Sequence, residues 1–158
     1  MAEVLKPKQN ELTKRLKSIK AKDIMTKDVI TTTENATLSD ISHIMIKSRI
    51  SGLPVIGKKS KIVGMITAAD LFMVMDMIKS GDVVENHETP AATPTVKFAM
   101  STEVTKIRRN TSLDEIIVLM KYRNAHTLPV VEENKLVGVV GRRDVFKNFY
   151  AAMKDIYL

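Results

Sequence analysis

KIVGMITAADLF, residues 61 to 72, returns in altered form as KLVGVVGRRDVF, residues 135 to 146. In each copy a short β-rich run leads into an apolar helical run, so Thr67 marks a strand-to-helix junction. The first turn of a helix leaves backbone N–H groups unpaired and carries the positive end of the helix dipole, which suits phosphate or carboxylate groups. Thr67 and Asp70 also have the T-x-x-D spacing of a capping box, which alone accounts for both residues. On this stretch by itself, the cap and the ligand site are both open.

The repeat extends outward in both directions. At an offset of 75, Met25 aligns with Met100, Val29 with Val104, Leu38 with Leu113, Ile41 with Ile116, and Leu53-Pro54-Val55 with Leu128-Pro129-Val130. One residue is lost between Gly57 and Lys61, after which Gly64 aligns with Gly138, Asp70 with Asp144 and Phe72 with Phe146. Each copy reads as strand, helix, strand, hairpin, strand, helix. The first copy has an opening strand over 28–33, a helix capped by Thr37 with Leu38, Ile41, Ile44 and Met45 on one face, and a strand over 53–56. In the second, Ser112 and Glu115 form the capping box and the strand covers 128–131.

The order DIMTKDVITT, TLSDI, ISGLPVI, KIVGMITAADLF resembles a cystathionine β-synthase (CBS) domain, and the second copy resembles it too. The resemblance covers residues 19–150 and is that of a tandem pair, a standalone Bateman module. It implies an α/β (α+β) fold of two units, each a mainly three-stranded sheet with two helices, packed with pseudo-twofold symmetry. It also implies a regulatory sensor for an adenosine-type ligand (AMP, ADP, ATP or S-adenosylmethionine) in the cleft between the units, with no catalytic cofactor. The expected layout is a basic helical arm over 1–20, a first CBS domain over 21–80, a linker over 81–95, and a second CBS domain with the C-terminal helix over 96–158.

The resemblance assigns roles residue by residue. Asp70 and Asp144 would hold ribose hydroxyls, and a carboxylate accepting from a vicinal diol fits that task. Thr67 would lie near the phosphate. Thr26, Val29, Ile30, Pro54, Met65, Ser101, Val104, Pro129 and Val139 would form the adenine pockets, and the apolar ones serve equally as ordinary core. In the second copy Gly141 replaces the hydroxyl residue, while Arg142, Arg143 and His126 gather positive charge suited to phosphate. The first copy has Ala68 and Ala69 beside its carboxylate, so it reads as the site for a less charged adenosyl ligand or as a weaker site for the same one. A solvated helix start remains the other reading of the two arginines.

Composition narrows the remaining classes. With no cysteine, disulfides and thiolate chemistry are excluded and a cytoplasmic setting is expected. The longest apolar run, residues 116–120, is too short for a membrane span. His43, His87 and His126 are isolated, and no HExxH, GxSxG or GxxxxGK[ST] pattern occurs, so the chain reads as a binding module and not as an enzyme. Of the net charge of +7, residues 1–22 carry +5, from seven Lys or Arg against Glu3 and Glu11. That arm reads as a helix over 11–20 laying Leu12, Leu16 and Ile19 on the rest of the chain. The alternative is an arm that binds nucleic acid or an acidic partner, with the repeats as scaffold. A purely structural pair with vestigial sites is the third reading. The helix after Asp70 and the last helix are apolar nearly all round, which points to a homodimer.

Overall fold

The structure is a computed structural model that describes residues 2–81 and 94–158, with the side chains of residues 2–5 left aside. Most of the expected linker, with His87 and Pro90, lies outside the described residues. The elements are α1 (Ala2–Ser18), α2 (Ala21–Ile24), α3 (Leu38–Ser48), β1 (Gly52–Ile56), a 3-10 turn (Lys58–Ser60), β2 (Ile62–Thr67), α4 (Ala68–Ser80), α5 (Val96–Ala99), α6 (Leu113–Arg123), β3 (Thr127–Glu132), β4 (Lys135–Gly141) and α7 (Arg142–Tyr157). The offset of 75 carries α2 onto α5 and α3 onto α6 without a shift in either boundary.

Packing cuts the chain differently from the repeat. One compact unit, unit 1, joins Met1–Val29 to Thr105–Leu158, and the other, unit 2, is Ile30–Val104. Each repeat hands its short first helix to the hairpin of the other. In unit 1, Ala21 N donates to Thr111 O at 2.8 Å and Lys22 N to Arg109 O at 3.0 Å, while Thr26 and Val139 exchange backbone bonds of 2.8 and 3.0 Å. In unit 2, Val96 N donates to Ala36 O and Lys97 N to Glu34 O, and Met65 and Ser101 exchange two bonds of 2.9 Å.

Each unit is built on one antiparallel hairpin, β1–β2 in unit 2 and β3–β4 in unit 1. The strand expected over 28–33 is reduced to one parallel bridge, Thr32 to Val55, matched in the other unit by Ile107 to Val130. The expected strand straddles the division between the units, with residues 28 and 29 in unit 1 and 30–33 in unit 2, and within unit 2 only Thr32 pairs with the hairpin.

The glycines shared by KIVG and KLVG explain how the third segment reaches the hairpin. A Cβ on Gly64 would sit 2.8 Å from Ser101 O, and one on Gly138 would sit 3.0 Å from Thr26 O and 2.6 Å from Met25 Sδ. Only a hydrogen at these positions lets the flanking backbone close on the strand.

Helix ends follow the local chemistry. Thr37 Oγ1 accepts from Asp40 N and Ser112 Oγ from Glu115 N, each at 3.2 Å; the Glu115 carboxylate does not return a bond to Ser112 N, so the expected box is a one-sided cap. Gly81 closes α4 at φ 84°, the left-handed region that suits glycine. Arg49 and Asn124, related by the repeat, close α3 and α6 at φ 53° and 48°.

The core of unit 1 includes Ile24, Ile107, Leu113, Ile116, Leu128, Val130 and Val140, and Leu16 of α1 is buried in it with Leu12 and Ile19 packed alongside. The arm is therefore part of a folded unit, and α1 starts earlier and ends sooner than the sequence reading placed it. Arg15 pairs with Asp155, and Lys8 lies over the Tyr157 ring, which ties α1 to the end of α7. This changes the meaning of the charge. Unit 1 holds 18 Lys or Arg against 10 Asp or Glu, a net of +8, whereas unit 2 holds 7 against 8, a net of −1. The basic character belongs to the whole of unit 1 and not to the arm alone.

Unit 2 buries Ile41, Leu53, Val55, Ile66 and Val96 fully. Its α4 buries only Leu71 and Val74, leaving Phe72, Met73, Met75 and Ile78 exposed. Among the described residues, no helix is long and apolar enough to cross a membrane.

Candidate functional site

Both units place a carboxylate at the same point, three residues into the turn from hairpin to helix. In unit 2, Asp70 Oδ2 accepts from Thr67 N at 2.8 Å and from Thr67 Oγ1 at 3.0 Å, and Asp70 N donates to Thr67 Oγ1 at 3.4 Å. The capping box and the ligand site are therefore compatible. The box uses Oδ2 and fixes the side chain, while Oδ1 accepts no bond among the described residues and Asp70 keeps part of its surface. A half-buried carboxylate held in one rotamer is preorganised to accept from a diol.

In unit 1, Asp144 Oδ2 accepts from Gly141 N at 2.9 Å, but Gly141 has no hydroxyl to return the bond, so only half the box exists. Room for a side chain is present, since a Cβ on Gly141 would meet nothing closer than 3.7 Å. Gly141→Thr should complete the box and stabilise the chain by about 0.5 to 1 kcal/mol. Thermal unfolding would register this as a rise of about 1 to 4 °C.

The junctions are buttressed alike. Ala68 N donates to Ser51 O at 2.9 Å, and Arg142 N donates to His126 O at 3.1 Å. Arg142, Arg143 and His126 all have exposed side chains, and His126 joins the Arg142 end through its carbonyl.

The expected residues divide by unit. Thr26, Val29, His126, Pro129, Val139, Arg142, Arg143 and Asp144 belong to unit 1, and Ile30, Pro54, Met65, Thr67, Asp70, Ser101 and Val104 to unit 2. Thr26 thus sits beside Val139, on the Asp144 hairpin of the other repeat, and Ser101 beside Met65 on the Asp70 hairpin. Reading each repeat as self-contained hides this exchange. The paired glycines, Gly64 and Gly138, signal that another stretch of backbone comes close to each hairpin, but not which repeat supplies it. Two expected pocket residues need correction: Pro54 and Pro129 are among the fully buried side chains, so neither presents surface to a ligand. They pair with Met65 and Val139 across their hairpins. Among the described residues no group of three or more His, Asp or Glu is placed to hold a metal ion.

Comparison with known families gives a match to the CBS domain model over residues 21–76 and again over 96–151. The chain belongs to the CBS domain family. The inosine-5'-monophosphate dehydrogenase of Methanocaldococcus jannaschii is 31% identical over 129 residues, covering 81% of this chain but only 23% of that enzyme. The CBS domain-containing protein YhcV of Bacillus subtilis is 29% identical over 127 residues, covering 80% of this chain and 83% of that one. Among solved structures, the CBS domain pair of protein MJ0100, in complex with 5′-methylthioadenosine and S-adenosyl-L-methionine, superposes with a TM-score of 0.70. That pair is 26% identical, and the match covers 84% of this chain and 96% of the other. The chain is thus a tandem CBS pair of α/β fold, and one of the solved structures it resembles is a pair with bound ligands.

Proposed function

We propose that this tandem CBS pair is a regulatory sensor that binds an adenosine-type ligand at the hairpin-to-helix junctions and signals its occupancy by a conformational or oligomeric change. The observation that carries the reading is the recurrence, in both units, of a half-buried aspartate tied to the backbone N–H at the helix start. The two sites are proposed to differ. The unit 1 junction, with Arg142, Arg143 and His126 beside Asp144, favours a phosphate-bearing ligand such as AMP, ADP or ATP. The unit 2 junction, with Ala68 and Ala69 beside Asp70, favours a less charged adenosyl compound such as S-adenosylmethionine. Ligand binding shifts the population of a conformation only to the extent that the ligand binds that conformation better.

Thermal unfolding with each ligand tests the reading. A ligand present at about 100 times its Kd adds roughly 2.7 kcal/mol, about 5 to 10 °C for a chain of this size. Selective shifts of that size support a sensor; no shift with AMP, ADP, ATP or S-adenosylmethionine rejects it.

Self-association is part of the same proposal. The exposed Phe72, Met73, Met75 and Ile78 of α4 and Phe146 and Tyr150 of α7 leave apolar helix surface that a second copy would cover.

A further inference from the structure

Unit 1 also holds a cleft at the other end of its hairpin. Its volume is about 710 Å³, and its walls are the Arg108–Asn110 loop, Lys22 of α2 and the hairpin tip from Glu132 to Asn134. Gly141 ends β4 and Lys135 begins it beside the tip. At about 3.3 Å per residue, the length of β4 separates the cleft from the Asp144 junction by roughly 20 Å.

The cleft is built from fixed parts. Arg108 N donates to Thr111 Oγ1 at 2.9 Å and Thr111 N to Arg108 O at 3.1 Å, which closes the arginine loop on itself. Lys22 N donates to Arg109 O at 3.0 Å, so α2 is locked to that loop. Across the cleft, Arg109 Nε donates to Glu132 Oε2 at 3.0 Å, and Lys106 Nζ donates to Asn134 Oδ1 at 2.9 Å. The Arg109 ion pair leaves both terminal nitrogens of its guanidinium without a partner among the described residues. Lys22 and Arg108 are exposed and enter no ion pair among the described residues.

The fold does not require the two arginines. The repeat places Lys97, Thr33 and Glu34 of unit 2 where unit 1 has Lys22, Arg108 and Arg109, and the same backbone bond forms there, from Lys97 N to Glu34 O at 3.0 Å. The lining sets Lys22, Arg108 and Arg109 against Glu132 and Glu133, with Glu132 already on Arg109 Nε, and the remaining excess of positive charge suits an anionic occupant. The lining also limits what that occupant is. Val131 is its only hydrophobic residue and no aromatic ring lines it, so nothing there stacks a base. Arginine and lysine converge on a phosphoryl group by forked and single charge-assisted hydrogen bonds.

We propose that the cleft between the Arg108–Asn110 loop and the Glu132–Asn134 hairpin tip is a second anion site, taking a small molecule with a phosphoryl group on Lys22, Arg108 and the free edge of Arg109. Glu133, at φ 50° in the tip, and the amides of Asn110 and Asn134 stand where hydroxyl groups of such a molecule would be read. This site is independent of the adenosine reading.

Titration of the full ¹⁵N-labelled chain with pyrophosphate and with ribose 5-phosphate tests it by NMR, the second probe separating a sugar phosphate from the bare anion. The expected result is saturable movement of the amide signals of Lys22, Arg108–Asn110 and Glu132–Asn134, with affinity about tenfold weaker in Arg108→Gln and in Lys22→Gln. Asp144→Ala should leave these shifts intact. The proposal is overturned by no saturable shift at probe concentrations on the order of 10 mM, by shifts confined to Thr26, Val139 and Gly141–Asp144, or by loss in Asp144→Ala with retention in Arg108→Gln. A single-stranded oligonucleotide that binds here far more tightly than pyrophosphate, through Arg108, would also overturn it, because the cleft would then be part of a polymer track. AMP titrated in parallel reads the Asp144 junction, so either site can fail without the other.

Discussion

Asp144→Ala is expected to weaken binding of AMP by about tenfold to a hundredfold or more, because it removes an acceptor for one or two charge-assisted hydrogen bonds worth about 1.5 to 3 kcal/mol each. Asp70→Ala is expected to do the same to the ligand of unit 2 and to leave the unit 1 site intact. The bonds within each junction explain why a structural contribution must be separated from a ligand contact. Asp70 Oδ2 also holds Thr67 N and Oγ1, and Asp144 Oδ2 holds Gly141 N, so either alanine loses a helix-start bond as well. That part amounts to about 1 kcal/mol of stability and is read from unfolding without ligand. Asparagine keeps one acceptor oxygen for the backbone bond but loses the charge, so Asp144→Asn should spare most of the stability while still weakening the ligand. Isothermal titration of the four proteins, Asp70→Ala, Asp144→Ala, Asp144→Asn and the unmodified chain, measures both effects. Equal affinity in all four would remove the aspartates from the site.

Gly64→Ala is expected to be the most destabilising methyl addition in the hairpin of unit 2. Its Cβ would meet Ser101 O at 2.8 Å and Met100 Sδ at 3.0 Å, and the backbone oxygen cannot move away without stretching the Met65 and Ser101 pair. Overpacking of this kind costs about 1 to 3 kcal/mol. In a chain of this size it lowers Tm by about 2 to 12 °C. Gly52, on the partner strand, is the control: a Cβ there has its nearest contact at 3.7 Å, which is ordinary packing. Gly52→Ala should leave Tm nearly unchanged, and equal losses at both positions would show that the strand's glycine content, and not close approach, sets the cost. Gly138→Ala should resemble Gly64→Ala, softened because its closest contact is the flexible Met25 Sδ and the backbone oxygen of Thr26 is farther, at 3.0 Å.

The repeat made much of this fold legible before any coordinates. Hydrophobic periodicity located α3, α6 and both hairpins, and the Thr37 and Ser112 caps lie where their spacing put them, because these are local effects decided within a few residues. The partition into units was not legible. Whether Met25 and Thr26 pack on their own repeat or on the other depends on long-range backbone pairing, and alignment of two copies is blind to which copy supplies a strand. The same gap hid that Thr26 pairs with Val139 on the Asp144 hairpin. It also hid how the charge is distributed, since a basic arm counted along the chain becomes part of a unit of net +8 once Leu16 is buried in the core of α6, β3 and β4. The burial of Pro54 and Pro129 was out of reach for a related reason. A Leu-Pro-Val strand shows that it is buried, but not whether one edge remains open to a ligand.

Both aspartate junctions are proposed to hold adenosine-type ligands, with unit 1 preferring the phosphorylated one. Isothermal titration of the unmodified chain with AMP, and of the AMP-saturated chain with S-adenosylmethionine, tests it most directly. The account predicts saturable AMP binding that weakens in Arg142→Ala, and S-adenosylmethionine binding that persists when AMP is already bound. Absence of saturable binding by either ligand to the folded chain, or AMP affinity untouched by Arg142→Ala and lost in Asp70→Ala, would contradict it.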